Sequence, residues 1–292
     1  MIPNKPRKLQ NKLIYFLAIV FTALVCGLIF LYINIVGADS KNNPEAPKGE
    51  NSEAVSGPET IENPSDNRFE VTIPILMYHH IRTYNDPNDQ IGNNLSVPES
   101  NFKQQIDYLK NNGFITITFA DFLSFPTKKL PDKPVILTFD DGYSDSFGAY
   151  NLLKENNQLG VFYIITSYFE KSEHLSVKQV KNMAENDMEI GSHTASHPDL
   201  TKSSSEKINF EVVESKKILE NILGKNVISF CYPSGKHNVK VEETVKNAGY
   251  LTATTTDYAL SDTSENKMTL SRIRINPSDT LNGFAKKIEI LK

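Results

Sequence analysis

The sequence predicts an α/β fold for residues 69–292, a distorted (β/α) barrel of about seven parallel strands. Three observations indicate this: short apolar runs alternate with helical patterns, several runs have no polar face, and polar residues follow four of them. Continuous apolar runs are typical of parallel strands buried on both sides. The alternation predicts crossover units. Seven or so units fit a barrel better than an open sheet, although the pattern alone does not decide between the two.

Seven runs are predicted to be strands. They span residues 72–78, 114–117, 135–139, 160–165, 188–192, 227–232 and 250–255. Six helices are predicted at residues 101–112, 118–125, 145–157, 177–186, 206–223 and 238–248. Three of these helices stop at Gly113, Gly224 or Gly249, and glycine is the usual residue at the left-handed end of a helix.

The N-terminal region predicts a membrane anchor. A basic tail at residues 1–12 precedes an apolar run at residues 13–36 in which only Asn34 is strongly polar. A bilayer needs about 20 apolar residues and a cleavable signal only about 7–15, so the length favours a retained transmembrane signal-anchor. The basic flank predicts a cytoplasmic N-terminus and an extracellular remainder. The alternative is cleavage after the Val-Gly-Ala at residues 36–38, which would give a secreted protein.

Residues 37–68 are predicted to be a flexible linker. They are rich in Pro, Glu, Asn and Ser, and such a segment cannot bury enough apolar surface to offset its ordering entropy. Cys26 and Cys231 are the two cysteines of the chain, so no disulfide framework is available to the folded part. The net charge of −4 gives no electrostatic reason to expect nucleic acid as a partner.

Polar residues follow four of the predicted strands. They are the pair Asp140 and Asp141, the pair His193 and His197, the Pro-Ser-Gly-Lys-His segment at 233–237, and His79. Chemistry in parallel barrels gathers at the carboxyl ends of the strands. We therefore expect these residues at one rim.

Two histidines and one aspartate predict a divalent-metal site. His193 and His197 are four residues apart, so on a helical turn both imidazoles would face the same way. With one carboxylate they leave positions open for water and substrate, as a catalytic metal requires. The second aspartate would then accept a proton from the attacking water, and the dication would offset the repulsion between the two carboxylates. Spacing alone does not say which aspartate has which role.

Four motifs resemble those of the polysaccharide deacetylases of the NodB-homology type, carbohydrate esterase family 4. They are TFDDGYSD (138–145), GSHTASHPDL (191–200), FCYPSGKHN (230–238) and PILMYHHI (74–81), and the likeness spans most of residues 74–292. The resemblance implies that Asp140 is the general base. It also implies that Asp141, His193 and His197 bind the metal, with Zn²⁺ favoured over Co²⁺ or Ni²⁺.

Two positions depart from the family pattern. Cys231 stands where most members have an arginine that orients the catalytic aspartate, and Ser234 stands where they have a tyrosine. The family binds the oxyanion with the main-chain N–H at the tyrosine position, which Ser234 can also supply. Arg272 is the expected substitute for the missing arginine, with Arg274 as the alternative.

The general acid is expected near the start of the folded part. The late Leu-x-His motif of the family is absent, since no histidine follows His237. A subgroup that resembles poly-N-acetylglucosamine deacetylases carries this histidine early, at a strand end, and MYHHI matches it with His79. Consecutive strand residues face opposite sides, so only one of His79 and His80 should enter the site.

The apolar run at residues 13–36 and the family resemblance together predict a membrane-anchored, extracellular, metal-dependent hydrolase with a monomeric catalytic domain at residues 69–292. Its substrate would be the N-acetyl groups of N-acetylglucosamine residues in a cell-wall or surface polysaccharide. Two alternatives stay open: an O-acetyl esterase of the xylan type, and a non-catalytic sugar-binding wall module, which the changes at Cys231 and Ser234 would suit.

Overall fold

The computed structural model describes residues 70–289 of the chain. The predicted tail, anchor and linker at residues 1–68 lie outside this range. Among the described residues, no helix combines the length and the apolar composition needed to cross a bilayer.

A curled parallel sheet forms the centre of the described chain. Its strands and the short strands beside it are β1 (Thr72–Ile73), β2 (Ile75–Tyr78), β3 (His80–Ile81), β4 (Ser96–Val97), β5 (Ile115–Thr116), β6 (Pro134–Phe139), β7 (Val161–Ile164), β8 (Glu189–Ser192), β9 (Ser229–Cys231), β10 (Thr252–Thr254), β11 (Ser261–Asp262) and β12 (Ile273–Arg274). The strand order is β10-β9-β8-β7-β6-β2-β12, with β5 paired to β6. All of these pairs are parallel.

The α/β prediction is confirmed, and where a distorted barrel was predicted the sheet is a curled half-barrel of seven parallel strands. A single bridge between Thr254 and Leu270 links the β10 edge to the chain just before β12. All seven predicted strands are present. Most are shorter than predicted, but the run at 72–78 is divided into β1 and β2, and β6 begins one residue earlier than predicted. The prediction missed β12 of this sheet and the short strands β3, β4 and β11, because two residues are too few to show a period.

The α-helices of the described chain surround the sheet. They are α1 (Gln90–Leu95), α2 (Glu99–Asn111), α3 (Phe119–Ser124), α4 (Ser146–Glu155), α5 (Val177–Glu185), α6 (Ser205–Leu223), α7 (Val239–Asn247) and α8 (Leu281–Glu289). The six predicted helices are confirmed. The sequence did not predict α1, which is six residues long, or α8, whose pattern contains Gly283.

Local sequence explains where several helices begin and end. The Thr118 hydroxyl accepts a hydrogen bond from the Asp121 N–H, and the Asp121 carboxylate accepts one from the Thr118 N–H, which is a capping box at the start of α3. Ser176 and Gln179 form the same arrangement at α5. Gly224 ends α6 with φ 66°, a left-handed conformation that costs glycine little.

Alternate residues of the strands face two apolar clusters. Leu137 and Phe139 of β6 pack in the larger cluster together with residues of the outer helices, whereas Ile136 packs in the smaller cluster with Val161 and Cys231. Side chains alternate along a strand with period two. Thr138 and Asp140 therefore face the same side of β6 as Ile136. This places the Asp140 carboxylate on the inner side of the curl.

Candidate active site

One cavity of about 510 Å³ opens at the carboxyl ends of the strands. Six of the seven sequence-predicted site residues line it: His79, Asp140, Asp141, His193, His197 and Ser234. The seventh, Arg272, lies beneath the cavity in contact with Asp140. The structure therefore brings the whole predicted set together from distant parts of the chain.

Asp140 is held by a buried guanidinium. Arg272 donates from Nη1 to Oδ1 at 2.7 Å and from Nη2 to Oδ2 at 2.8 Å, and its side chain is fully buried. The other donors of Arg272 reach the Thr138 hydroxyl at 3.0 Å and the Thr255 carbonyl at 2.8 Å. Burial raises the pKa of Asp140, but the charge and hydrogen bonds of Arg272 outweigh this and hold it below its usual range. Asp140 is thus an ionised proton acceptor with a fixed orientation.

Cys231, at the position where the arginine was expected, joins the same network. Its Sγ lies 3.6 Å from Oδ2 of Asp140 and 3.3 Å from Nη2 of Arg272. The guanidinium therefore reaches Asp140 from Arg272, the residue before β12, rather than from β9. Arg274, the alternative substitute, lines the cavity wall instead.

Asp141, His193 and His197 converge on a common point. Oδ1 of Asp141 lies 3.3 Å from Nε2 of His193 and 3.6 Å from Nε2 of His197. The helical turn expected for the two histidines is wrong: they lie on an irregular loop after β8. Thr194 and His197 adopt left-handed φ angles of 68° and 60°, which turn the chain so that both imidazoles face the carboxylate.

These three side chains fit a divalent metal. One donor atom from each lies within 4.8 Å of the other two. Nδ1 of His193 is 2.7 Å from the Cys231 carbonyl oxygen and must donate to it, which leaves the Nε2 lone pair free as a ligand. Burial lowers the pKa of His197, so its imidazole is neutral, as ligation requires.

A second set of possible metal ligands consists of Asp140, His193 and Cys231, whose donor atoms also lie within 4.8 Å of one another. Both oxygens of Asp140 already accept hydrogen bonds from Arg272, so they are poorly available to a metal. Oδ1 of Asp141 makes no contact with Arg272 and instead faces Nε2 of His193 at 3.3 Å and Nε2 of His197 at 3.6 Å. The geometry therefore favours Asp141 over Asp140 as the carboxylate ligand.

The two neighbouring histidines have different surroundings. His79 lines the cavity with its Nε2 3.9 Å from Oδ2 of Asp140. His80 is directed away from it: Nδ1 is 2.7 Å from Oδ2 of Asp145, and the ring stacks on Tyr143 with centroids 3.6 Å apart. Burial lowers the pKa of His79, so its imidazole is uncharged at neutral pH. Of these two histidines, His79 is the one in position to exchange a proton with groups in the cavity.

Ser234 lies at the cavity rim in a tight turn. Its φ of 55° and ψ of 21° are left-handed. The next residue, Gly235, also has a positive φ, and a Cβ there would lie only 2.5 Å from the main-chain nitrogen of Thr256. The turn thus requires glycine at 235, and it places Ser234 in the cavity wall.

The sequence reasoning missed four residues of the cavity wall. Ile91, Asn94 and Leu95 of α1 and Thr256 line the cavity, and Ile91 is 75% exposed. The helix that carries the first three is too short for an amphipathic pattern. The sequence signal that could have revealed this helix is Asp89 directly before it, because aspartate is a preferred N-cap residue. Its Oδ1 accepts a hydrogen bond from the Gly92 N–H at 2.8 Å.

Comparisons with known proteins agree with this site. The sequence model of a family described as polysaccharide deacetylase matches residues 127–253, which include Asp140, Asp141, His193 and His197 but neither His79 nor Arg272. The Bacillus subtilis (strain 168) protein YxkH, provisionally named a polysaccharide deacetylase, is 30% identical over 223 residues, 75% of this chain and 77% of the relative.

The name of a second relative specifies an activity. The poly-beta-1,6-N-acetyl-D-glucosamine N-deacetylase of Staphylococcus aureus (strain MRSA252) is 28% identical over 198 residues, 60% of this chain and 68% of the relative. Among solved structures, the Streptococcus pyogenes deacetylase PplD in complex with acetate superposes with a TM-score of 0.70 at 30% identity. This match covers 75% of this chain and 98% of that one.

Proposed function

The chain belongs to the polysaccharide deacetylase family, and from that membership we propose that it hydrolyses N-acetyl groups of N-acetylglucosamine residues in a cell-wall or surface polysaccharide. The observation that carries the proposal is the pairing of two carboxylates with different partners. Asp140 is oriented by Arg272, while the neighbouring Asp141 faces His193 and His197. One cavity thus offers a proton acceptor beside a candidate metal site.

A divalent metal, for which Zn²⁺ is the first choice, would be held by Asp141, His193 and His197. When bound, it would polarise the substrate carbonyl and make water more acidic. The donor set of one carboxylate and two imidazoles is the support for this assignment. All the other steps belong to side chains and main-chain groups of the protein.

Asp140 takes the proton from the water that attacks the acetamide carbon. Arg272 keeps the carboxylate ionised and oriented, so it acts as a positioning residue. The N–H of Ser234 at the rim donates to the oxygen that becomes negatively charged in the tetrahedral intermediate.

His79 delivers a proton to the departing nitrogen, the carbon–nitrogen bond breaks, and acetate and a free amino sugar result. Because its imidazole rests uncharged, it must take up a proton in each cycle. Asp140, which has just received one, is 3.9 Å away. A transfer along this path would return Asp140 to its ionised form.

The proposal includes a location. The apolar run at residues 13–36 would anchor the protein with its catalytic domain outside the cell, and the support is the length of that run. Fractionation of cells that express the full chain with a C-terminal tag tests this. We expect the tag in the membrane fraction and accessible to external protease, whereas tag in the medium alone would favour cleavage after residues 36–38.

An acetate assay tests the activity. We expect the full-length protein to release acetate from N-acetylglucosamine oligomers faster than from O-acetylated xylan oligomers. Asp140→Asn should abolish release while the metal content stays that of the wild type, and Asp107→Asn on the exposed face of α2 should behave as the wild type. Normal turnover by Asp140→Asn would refute the assignment of the base. Faster release from the O-acetylated xylan oligomers would show that the protein is an O-acetyl esterase instead.

A further inference from the structure

A second cavity, of about 330 Å³, lies between the first turns of α2 and the loop that leads into α8. Its walls combine polar side chains with the apolar Pro277 and Leu281. Asn101, Gln104 and Gln105 form one side, and residues 277–281 form the other. Asn101 joins the two sides through a long hydrogen bond, 3.5 Å, from its Nδ2 to the Pro277 carbonyl. The sites described above use none of these residues.

Gln105 brings an unused hydrogen-bond donor to this cavity. The side chain lines the cavity although the residue is only 2% exposed. Its Oε1 accepts from the Tyr78 hydroxyl at 2.9 Å, which fixes the orientation of the amide. Its Nε2 has no hydrogen-bond partner among residues 70–289. Buried amide donors are nearly always paired, so a ligand or water is expected at this group.

Asp279 brings an acceptor. Its Oδ2 accepts from the Asn276 N–H at 2.7 Å and from Nζ of Lys287 at 2.5 Å, while Oδ1 has no partner within the described chain. The charge of Lys287 balances that of Asp279, which disfavours a cation as the ligand. A hydroxyl group both donates and accepts, so a free amide N–H and a free carboxylate oxygen in one cavity suit a neutral polyhydroxylated molecule.

The cavity lies close to the candidate active site along the same rim. Arg274 lines the first cavity and Pro277 lines the second. Three residues of chain span at most about 11 Å. The loop at 275–280 follows the carboxyl end of β12, so both cavities open at the end of the sheet where the aspartates lie. A chain of linked sugars with one residue in the active site can therefore extend toward the second cavity.

We propose that this cavity is a second sugar-binding site, which holds a hydroxyl-bearing sugar of the same polymer away from the reacting residue. Gln105 Nε2 donates to a ring hydroxyl, and Asp279 Oδ1 accepts from one. The polymer as ligand rests on the proposed function, but the binding chemistry of the cavity does not. Longer oligomers would gain the second contact at little extra entropic cost, because the first contact already holds the chain.

Chain-length dependence tests the proposal. Ser278 lines the cavity, is exposed and makes no side-chain hydrogen bond among the described residues, so Ser278→Tyr should fill the cavity without breaking the fold. For the full-length wild type, kcat/KM for acetate release should rise from the N-acetylglucosamine dimer to the pentamer. In Ser278→Tyr the pentamer-to-dimer ratio should fall about tenfold. Lys110→Tyr, at the opposite end of α2, is the matched bulky control and should keep the wild-type ratio.

Direct binding separates this site from the proposed activity. In the full-length Asp140→Asn protein, calorimetric titration with a β-1,6-linked N-acetylglucosamine pentamer should give a Kd that Ser278→Tyr raises about tenfold. Gln105→Met, which removes only the amide, should raise it in the same direction. An unchanged Kd in both variants, or no binding by the parent, overturns the second site. Absence of acetate release from every glycan, with the binding difference intact, would refute the activity and leave the second site standing.

Discussion

Arg272 and Asp140 form a bidentate ion pair at the base of the cavity, with Nη1–Oδ1 and Nη2–Oδ2 distances of 2.7 and 2.8 Å. Both residues are almost completely buried. Two parallel charge-assisted hydrogen bonds fix the plane of the carboxylate as well as its charge. The arrangement leaves Asp140 little freedom to become protonated at rest or to rotate out of the cavity.

Removal of the guanidinium should destabilise the protein and slow the reaction. Arg272→Met leaves a buried carboxylate unpaired, so the free energy of unfolding should fall by about 3–5 kcal/mol, measured by urea denaturation. Arg272→Met combined with Asp140→Leu should recover part of this loss, because no charge remains buried. Arg274→Met, on the cavity wall, is the matched control and should lower the free energy of unfolding by less than Arg272→Met does. Equal stability of Arg272→Met and the wild type would contradict the assigned ion pair.

Metal removal should abolish acetate release. A chelator should also lower the Tm, because a ligand at 100 times its Kd stabilises the folded state by about 2.7 kcal/mol, and added Zn²⁺ should restore both activity and Tm. His193→Ala and His197→Ala should lose stoichiometric zinc in elemental analysis. His237→Ala should retain it, since His237 pairs with Glu242 at 2.7 Å outside the cluster. Full activity after complete chelation would exclude the metal from the reaction.

The two adjacent histidines should respond differently to the same substitution. His79→Gln removes the proton donor of the proposed mechanism, and kcat should fall about 10²- to 10⁴-fold. His80→Gln should mainly lower the free energy of unfolding, by about 1 kcal/mol, because it disturbs the hydrogen bond to Asp145. Steady-state kinetics and thermal unfolding of both variants provide the measurement. A larger loss of kcat in His80→Gln than in His79→Gln would show that His80, and not His79, is the proton donor.

Glu189 of β8 should make stability depend on pH. Burial raises its pKa above the ordinary value, and Oε1 has no hydrogen-bond partner within residues 70–289. The folded state then holds a proton that the unfolded state has already lost, so this residue's contribution to stability falls as pH rises above about 4.3. Glu189→Gln should therefore be more stable than the wild type at pH 7, with the difference disappearing near pH 4.

Denaturant titrations of Glu189→Gln at pH 4 and pH 7 measure this difference. Glu185→Gln, on the exposed end of α5, is the matched control and should show no such pH-dependent gain. A Glu189→Gln protein that is less stable at pH 7 than the wild type would show that the carboxylate makes a favourable contact in its charged form.

Local patterns were sufficient for most of the fold. The apolar runs predicted the strand positions because buried parallel strands have no polar face. The two-residue period of side chains along β6 also explains why Asp140 faces inward. Helix ends at Thr118 and Gly224 were readable from capping chemistry. These features depend on neighbours within a few residues.

Long-range features were harder to predict. The pattern did not show whether the sheet closes, because closure depends on how β10 meets the chain near Leu270. The four-residue spacing of His193 and His197 suggested a helical turn, but left-handed residues in an irregular loop produce the same convergence. Arg272 was named only as a possible substitute, since nothing in its own segment indicates a partner 132 residues away.

That separation also means that the site is complete only when the middle and the end of the chain are both folded. The aspartates emerge from synthesis near the middle of the chain, but their guanidinium partner arrives with β12, which docks beside β2 near the end. A chain that ended before Arg272 would leave the Asp140 carboxylate without its guanidinium partner. The same residue thus contributes to the fold and to the candidate active site, so such a truncation should impair both.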